Sequence, residues 1–100
     1  MKDKLLQIIN YYGVMKQLKY IHSEYFELDE AIMNYQNGDF LCGLDYEEKE
    51  EQYKDHISEE IADVMVMLKQ FQYYYEIKDN EIEKIMEQKI DRQLERIKEE

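Results

Sequence analysis

Four carboxylates in two short segments have the spacing expected of a metal site. Glu24 and Glu27 are three residues apart in the first segment, and so are Glu60 and Asp63 in the second. On a helix, such residues share a face. Both pairs stand among apolar residues that should face a core, where a carboxylate is costly unless something pairs with it. A divalent cation would relieve the repulsion between facing pairs, and oxygen-only ligands suit Mg²⁺ best.

Spacing alone is a weak signal, because the chain has 24 acidic residues. Other pairs three apart are Glu27/Glu30, Asp45/Glu48, Glu47/Glu50, Glu48/Glu51 and Glu76/Asp79. On a helical wheel of about 100° per residue, Glu60 falls beside Val64 and Met67, and Glu24 falls near Leu28 and Ala31. Two interpretations follow: a metal site between facing helices, or partly exposed carboxylates at the edge of a bundle.

The elements that must carry these pairs are predicted to be helices. Proline is absent and there are only three glycines, while Leu, Ile, Met, Glu, Lys and Gln dominate. Apolar residues at helical spacing predict a helix from residue 2 to about 36, with a kink or short break at Gly13. Residues 37–44 hold the other two glycines and predict a loop.

Two further helices are expected after that loop. Asp45 with Glu48 has the pattern of a capping box for a helix that runs to about Ile77. Asn80 with Glu83 has the same pattern for the last helix. The stretch from Ile57 to Phe71 is apolar on nearly every face, which is typical of a helix buried on all sides. One chain of 100 residues can scarcely provide that cover, so we expect a partner subunit. The predicted fold is all-α: a single domain over 1–100, with a bundle of about four helices completed by oligomerisation.

Charge and composition narrow the classes of function. The net charge of −11 argues against binding a nucleic acid polymer, which needs clustered basic residues. Cys42 is the only cysteine, so no internal disulfide is expected and a reducing cytoplasm is the simplest location. The longest fully apolar run is Val64–Leu68, far short of the roughly 20 residues of a membrane span. The N-terminal residues do not have the pattern of a signal peptide.

The two carboxylate segments also carry a resemblance to a known family. Residues 23–32, SEYFELDEAI, resemble the first motif of the MazG-like nucleoside triphosphate pyrophosphohydrolases, a Glu-x-x-Glu step followed by Leu and an acidic-Ala-hydrophobic ending. Residues 59–64, EEIADV, resemble their second motif, which contains a Glu-x-x-Asp step. The resemblance covers residues 12 to 97, and its last part is similar to the basic C-terminal segments of small phage-type members. Tyr25-Phe26 departs from the pattern, because many members have Leu-Gly or similar there.

The resemblance implies an all-α fold, dependence on Mg²⁺, and an obligate dimer or tetramer. It implies hydrolysis of a nucleoside triphosphate to the monophosphate and pyrophosphate, in nucleotide-pool housecleaning of a cell or a phage. By the motif match, Glu24, Glu27, Glu60 and Asp63 would be metal ligands. Glu27 is our choice for the carboxylate that takes a proton from the attacking water.

Basic and aromatic groups would complete such a site. Lys89 and Arg92 are three residues apart on the last helix, and we assign them to the substrate phosphates. The alternative is that they are solvated partners of neighbouring acidic residues. Weaker candidates are Lys16, Lys19 and Lys69. Tyr73-Tyr74-Tyr75 is the densest aromatic cluster, but tyrosines on a buried helix are more often core or interface than a base-stacking platform. A surface position or a role behind the ligands is expected for His56, and a structural role for His22.

Two other classes of protein compete with this interpretation. A non-enzymatic, acidic helical interaction protein would show scattered exposed carboxylates and no effect of cations on stability. A di-iron carboxylate bundle needs Glu-x-x-His on two helices. Lys19 and Tyr53 stand three residues before His22 and His56, so that motif is missing.

Overall fold

The computed structural model describes residues 1–38 and 46–100, and these residues form four α-helices and no strand. The helices are α1 (Lys2–Tyr12), α2 (Val14–Gln36), α3 (Tyr46–Tyr74) and α4 (Asp79–Glu99). The predicted all-α class is therefore confirmed for the described residues. Most of the predicted loop, and Asp45 of the first predicted capping box, lie outside them. No helix in the described ranges combines the length and the apolar character that crossing a bilayer requires.

Gly13 separates α1 from α2, as its position in the sequence predicted. Its backbone has φ +91° and ψ 150°, a conformation that glycine adopts far more readily than other residues. A Cβ added at Gly13 would meet nothing within 4 Å, so the backbone conformation, and not lack of space, favours glycine. The Gly13 N–H still donates to the Ile9 carbonyl at 2.8 Å, which closes the last turn of α1.

Helices α2 and α3 pack against each other in antiparallel directions. Gln17 near the start of α2 contacts Gln70 near the end of α3, and Tyr35 near the end of α2 contacts Glu50 near the start of α3. Helix α1 packs on both of them. This arrangement brings the middle of α2 opposite the middle of α3, where the two carboxylate segments lie.

The interior of this three-helix unit is unusually polar. The buried apolar side chains of the described residues are Leu5, Ile9, Ala31 and Met67. The buried polar or charged ones are Gln17, Glu24, Glu60, Gln70 and Gln72. Buried polar groups must be paired or they reduce stability. Gln72 bonds to the α3–α4 junction, and the other four polar side chains lie between α2 and α3, where a small domain would normally place apolar ones.

A carboxylate at the α3–α4 junction fixes the start of α4. Asp79 accepts hydrogen bonds from Lys69 at 2.7 Å, from Gln72 at 2.8 Å and from the Tyr73 hydroxyl at 2.9 Å. The backbone N–H of Lys78 donates to the Glu81 carboxylate at 3.2 Å. The capping box predicted at Asn80 and Glu83 is therefore wrong, because these contacts start the helix at Asp79.

Beyond its first turn, α4 makes no packing contact with α1, α2 or α3 in the described parts of the chain. The packed unit of one chain thus has three helices, where the sequence predicted a bundle of about four. The apolar stripe of α4 faces solvent in the single chain: Ile85, Met86, Ile90, Leu94 and Ile97. The Cα radius of gyration is 17.5 Å, compared with about 13 Å for a compact domain of this length.

The stretch from Ile57 to Phe71 is also incompletely covered. Its large exposed side chains are Ile61, Met65, Val66 and Leu68, each between 43% and 55% exposed. The sequence predicted burial on nearly every face. One chain covers only part of that surface, and the predicted partner subunit stays a prediction.

Candidate metal centre

The antiparallel packing of α2 and α3 brings three of the four predicted carboxylates together. Glu24 of α2 and Glu60 and Asp63 of α3 each offer one oxygen, and these oxygens all lie within 4.8 Å of one another. Glu24 and Glu60 are buried, with 7% of each residue exposed. Asp63 is exposed, so the cluster opens to solvent on its side. The three carboxylates thus form a small cluster of oxygen atoms that is buried at Glu24 and Glu60 and open to solvent at Asp63.

Two oxygens of this cluster are buried without a partner. Glu24 Oε2 and Glu60 Oε2 have no hydrogen-bond donor within the described ranges. A buried polar atom that has lost water and gained no partner costs about 1–3 kcal/mol, and more if it is charged. The packing therefore holds two carboxylates in a place where they destabilise the ion-free fold.

Burial raises the pKa of the Glu24 carboxyl group. Desolvation is the largest cause that raises its pKa above the ordinary value of 4.5, and the charges of Glu27 and Asp63 raise it further. A hydrogen bond with the Tyr20 hydroxyl acts in the opposite direction and lowers the pKa. The same interaction raises the pKa of Tyr20. The Tyr20 hydroxyl thus partly offsets the effect of burial on the Glu24 carboxylate.

The donor set fits a hard divalent cation. Carboxylate oxygens are the preferred ligands of Mg²⁺, which binds them at about 2.0–2.1 Å, so opposite ligands lie about 4 Å apart. The observed spread of up to 4.8 Å needs only a small contraction of the side chains. No sulfur or imidazole nitrogen belongs to the group of three, which disfavours zinc. The unpartnered oxygens of Glu24 and Glu60 would then gain the partner that they lack.

Glu27, the fourth predicted ligand, lies beside this group and not within it. It is exposed, one turn after Glu24 on α2, and its charge contributes to the raised pKa of Glu24. His56 stands on the other flank, with its Nε2 atom 3.9 Å from Glu60 Oε1 and its Nδ1 atom 4.0 Å from Glu59 Oε2. Its ring is half exposed, as expected for a position behind the ligands.

A cleft of about 420 Å³ adjoins the carboxylates. Glu24 and Asp63 form one part of its wall. The polar and aromatic remainder comes from Tyr12, Lys16, Gln17, Tyr20 and Gln70. Lys16 Nζ lies 5.1 Å from the centre of the Tyr12 ring, which places a cation and two exposed aromatic rings within reach of one ligand.

The cleft contains residues that sequence reasoning missed or ranked low. Lys16 was only a weaker candidate, and Tyr12, Gln17, Tyr20 and Gln70 were not singled out. The spacing of residues 17, 20 and 24 was the available signal, because it places three polar side chains on one face of α2.

The predicted phosphate-binding residues lie elsewhere in the single chain. Lys89 and Arg92 are exposed on α4 and do not line the cleft. Lys69 is paired with Asp79 at 2.7 Å, and Tyr73 also contacts Asp79. For Lys89 and Arg92 to bind the phosphates, α4 of another subunit would have to reach the cleft, and this assignment stays a prediction.

Fold and site together define a class: an all-α protein with a carboxylate cluster able to hold a cation beside an open cleft. Comparison with protein-family models, with curated proteins and with solved structures gives no significant match.

Proposed function

We propose that the protein is a Mg²⁺-dependent nucleoside triphosphate pyrophosphohydrolase. The observation that carries the proposal is the pair of buried, unpartnered oxygens on Glu24 and Glu60, which lie with Asp63 beside a cleft. Stability alone would not retain such groups, because they weaken the fold without an ion. The motif resemblance of residues 23–32 and 59–64 supports the same reaction.

In this proposal, Glu24, Glu60 and Asp63 hold the ion through their carboxylate oxygens. When bound, Mg²⁺ supplies a Lewis acid for the phosphate oxygens and lowers the pKa of water. Hydrolysis then breaks the bond between the α-phosphorus and the bridging oxygen. The water oxygen becomes part of the monophosphate, and pyrophosphate leaves. In this proposal the exposed carboxylate of Glu27, one turn after Glu24, takes the proton that the water loses.

The cleft supplies the other contacts that a nucleotide requires. Lys16 adds positive charge to the cleft, and this charge offsets the repulsion between the carboxylates and a phosphate-bearing substrate. Tyr12 and Tyr20 offer exposed ring faces for stacking against the base. The volume of about 420 Å³ lies within the range of small-molecule sites, about 300–1,000 Å³.

Self-association is part of the proposal. Large apolar side chains of α3 and a stripe along α4 are exposed in the single chain, and such side chains are typical of surfaces that another protein covers. A second copy of the chain is the simplest cover, in a homodimer or homotetramer. Lys89 and Arg92 would then reach the phosphates across the interface. The single cysteine supports a cytoplasmic location, where nucleotides are abundant.

The decisive experiment measures pyrophosphate release from a panel of ordinary and modified NTPs and dNTPs, with Mg²⁺ and with EDTA. We expect release of pyrophosphate together with the matching monophosphate, only with Mg²⁺. Glu60→Gln should abolish release and leave the helical circular dichroism spectrum unchanged. An absence of release from every nucleotide, together with a melting temperature that does not respond to Mg²⁺, would favour the acidic interaction protein instead.

A further inference from the structure

Two glutamines deep in the cleft form a hydrogen-bonded pair. Gln17 of α2 is 5% exposed and Gln70 of α3 is 1% exposed, and both contribute to the cleft wall. Gln17 Nε2 donates to Gln70 Oε1 at 2.8 Å. Two polar side chains at the centre of a small core are costly compared with apolar ones, unless every donor and acceptor is used.

The thioether of Met67 fixes the direction of this pair. Gln17 Nε2 lies 4.0 Å from Met67 Sδ, and Gln70 Nε2 lies 3.7 Å from the same sulfur. Rotation of the Gln17 amide by 180° would point its oxygen at Gln70 Oε1 and at the sulfur, so acceptors would face acceptors. Rotation of both amides would direct both oxygens at the sulfur. The observed orientation is therefore the stable one.

This orientation leaves one acceptor without a donor. Gln17 Oε1 accepts no hydrogen bond from the described residues and, unlike Glu24 Oε2 and Glu60 Oε2, it is not closed off from solvent. It belongs to a side chain that is 95% buried and contributes to the wall of an open cleft. A ligand with an N–H donor would satisfy it, whereas a ligand with a carbonyl at the same position would be repelled.

Helix geometry sets the separation between the Gln17 side chain and the carboxylate cluster. Gln17 precedes Glu24 by seven residues, and Gln70 follows Asp63 by seven. Seven residues are two helical turns, so each glutamine lies on the same face as its carboxylate, about 10 Å along the helix. Tyr20 occupies the turn between Gln17 and Glu24. That separation is comparable to the length of a nucleoside monophosphate, with its phosphate at the carboxylates and the edge of its base at the glutamines.

We propose that Gln17 Oε1, held in place by Gln70 and Met67, accepts a hydrogen bond from the exocyclic amino group of the substrate base. This inference rests on the proposed function and specifies its substrate class. The cleft should prefer bases that carry an amino group, such as cytosine and adenine, over the oxo counterparts uracil and hypoxanthine. Replacing the amino group by an oxygen sets two acceptors against each other at the wall of the cleft, which lowers affinity by about 10- to 100-fold.

The test compares kcat/KM for CTP with UTP and for ATP with ITP, in the wild type, Gln17→Met and Gln7→Met. We expect the wild type to favour the amino base in both pairs by about 10- to 100-fold. Gln17→Met should reduce both ratios to near unity, whereas Gln7→Met, the same change at an exposed position of α1, should retain them. Equal rates for the two members of each pair in the wild type, or preferences that survive Gln17→Met, would overturn the proposal.

Two further measurements keep the proposal separate from folding and from turnover. If Gln17→Met does not fold, Gln70→Met serves instead, because it frees the Gln17 amide to rotate and should also abolish the preference. An unchanged preference in Gln70→Met would count against the proposal that Gln70 holds the Gln17 amide in place. Binding of cytidine and uridine, followed by ligand-observed NMR without Mg²⁺, needs no hydrolysis. Tighter binding of cytidine would support base recognition even if the wild type proved inactive, and equal binding would refute it.

Discussion

Glu24 on α2 and Glu60 on α3 approach each other across the helix pair, and each keeps one buried carboxylate oxygen that finds no hydrogen-bond donor among residues 1–38 and 46–100. Like charges in a partly desolvated place repel more strongly than they would in water. The two residues thus oppose the packing that brings them together. The two carboxylates therefore lower the stability of the ion-free protein, although they are the groups that would bind a cation.

The first prediction is that Glu24→Gln stabilises the protein in EDTA. The amide removes one buried charge and can donate to the carboxylates of Glu60 or Asp63. We expect a gain of about 1–3 kcal/mol in the free energy of unfolding at neutral pH, or a rise of about 4 °C or more in Tm. Mg²⁺ should raise the Tm of the wild type and leave that of the variant unchanged. Glu30→Gln, an exposed change on the same helix, is the control. A lower Tm of Glu24→Gln in EDTA would contradict the prediction.

The second prediction concerns the pH dependence of the same carboxyl group. Its pKa is raised above 4.5, mainly by burial, so the folded chain binds the proton more tightly than the unfolded chain does. Its penalty to stability is absent at low pH and accumulates as the pH rises from 4.5 through the raised value. Mg²⁺ needs the ionised form, so its affinity should increase with pH. Calorimetric titration of Mg²⁺ over an interval of pH that begins at 4.5 measures this affinity. An affinity that does not change over that interval would count against it.

The third prediction concerns the positive charge that Lys16 brings into the cleft. Lys16→Ala should reduce kcat/KM for nucleoside triphosphates by at least about 10-fold, because a charge that attracts the phosphates is lost. Lys4→Ala makes the same change of charge at an exposed position of α1 that does not line the cleft. Steady-state kinetics on both variants decide the matter. A similar loss in both would point to net charge and not to a specific contact.

The fourth prediction concerns the α3–α4 junction. Hydrogen bonds from Lys69, Gln72 and Tyr73 lower the pKa of Asp79 from 3.8 to about 2. Its contribution to stability is therefore complete above pH 3.8 and is lost as the pH falls towards 2. Asp79→Asn should lower the urea midpoint at neutral pH, and the difference from the wild type should shrink through that interval. Asp91→Asn, at an exposed position of α4, should show no such trend. A difference that is independent of pH would show that ionisation of Asp79 is not the cause.

The fifth prediction tests the role of Lys89 and Arg92 across subunits. Both lie on a helix that does not reach the cleft of its own chain, so the double change Lys89→Ala/Arg92→Ala should inactivate only the site of a neighbouring subunit. Mixing this variant with Glu60→Gln should restore activity, to about one quarter of the wild type for random exchange in a symmetric dimer. Activity assays after refolding the mixture provide the readout. If no activity returns although mixed dimers form, the assignment fails.

Much of the helical framework could be predicted from local patterns in the sequence. Apolar spacing and the composition indicated helices, and Gly13 marked the break because its backbone conformation favours glycine. The meeting of Glu24 with Glu60 and Asp63 followed from two helices that each placed carboxylates next to a core face. Binding of an ion by these residues stays a prediction.

The remainder depends on contacts between residues distant in the sequence. Asp79 starts α4 early because it gathers donors from Lys69, Gln72 and Tyr73, and no local capping pattern contains that information. The pairing of Gln17 with Gln70 joins residues 53 positions apart, so periodicity in either helix cannot reveal it. The position of Lys16 in the cleft depends on how α1 and α2 pack to form one wall, and local sequence does not contain that information.

The uncovered flank of α4 also has a kinetic consequence. Within the described ranges, α4 is held to the rest of the chain only at its first turn, so its helical form depends largely on its own propensity. An isolated helix of this length forms and melts within about a microsecond. Any surface that docks on α4 must therefore capture its helical form from a fluctuating population. Assembly then becomes a second folding step, whose rate depends on protein concentration and on the helical propensity of α4 itself. Substitutions that change only this propensity would alter how fast the proposed oligomer forms, without touching the carboxylates or the cleft.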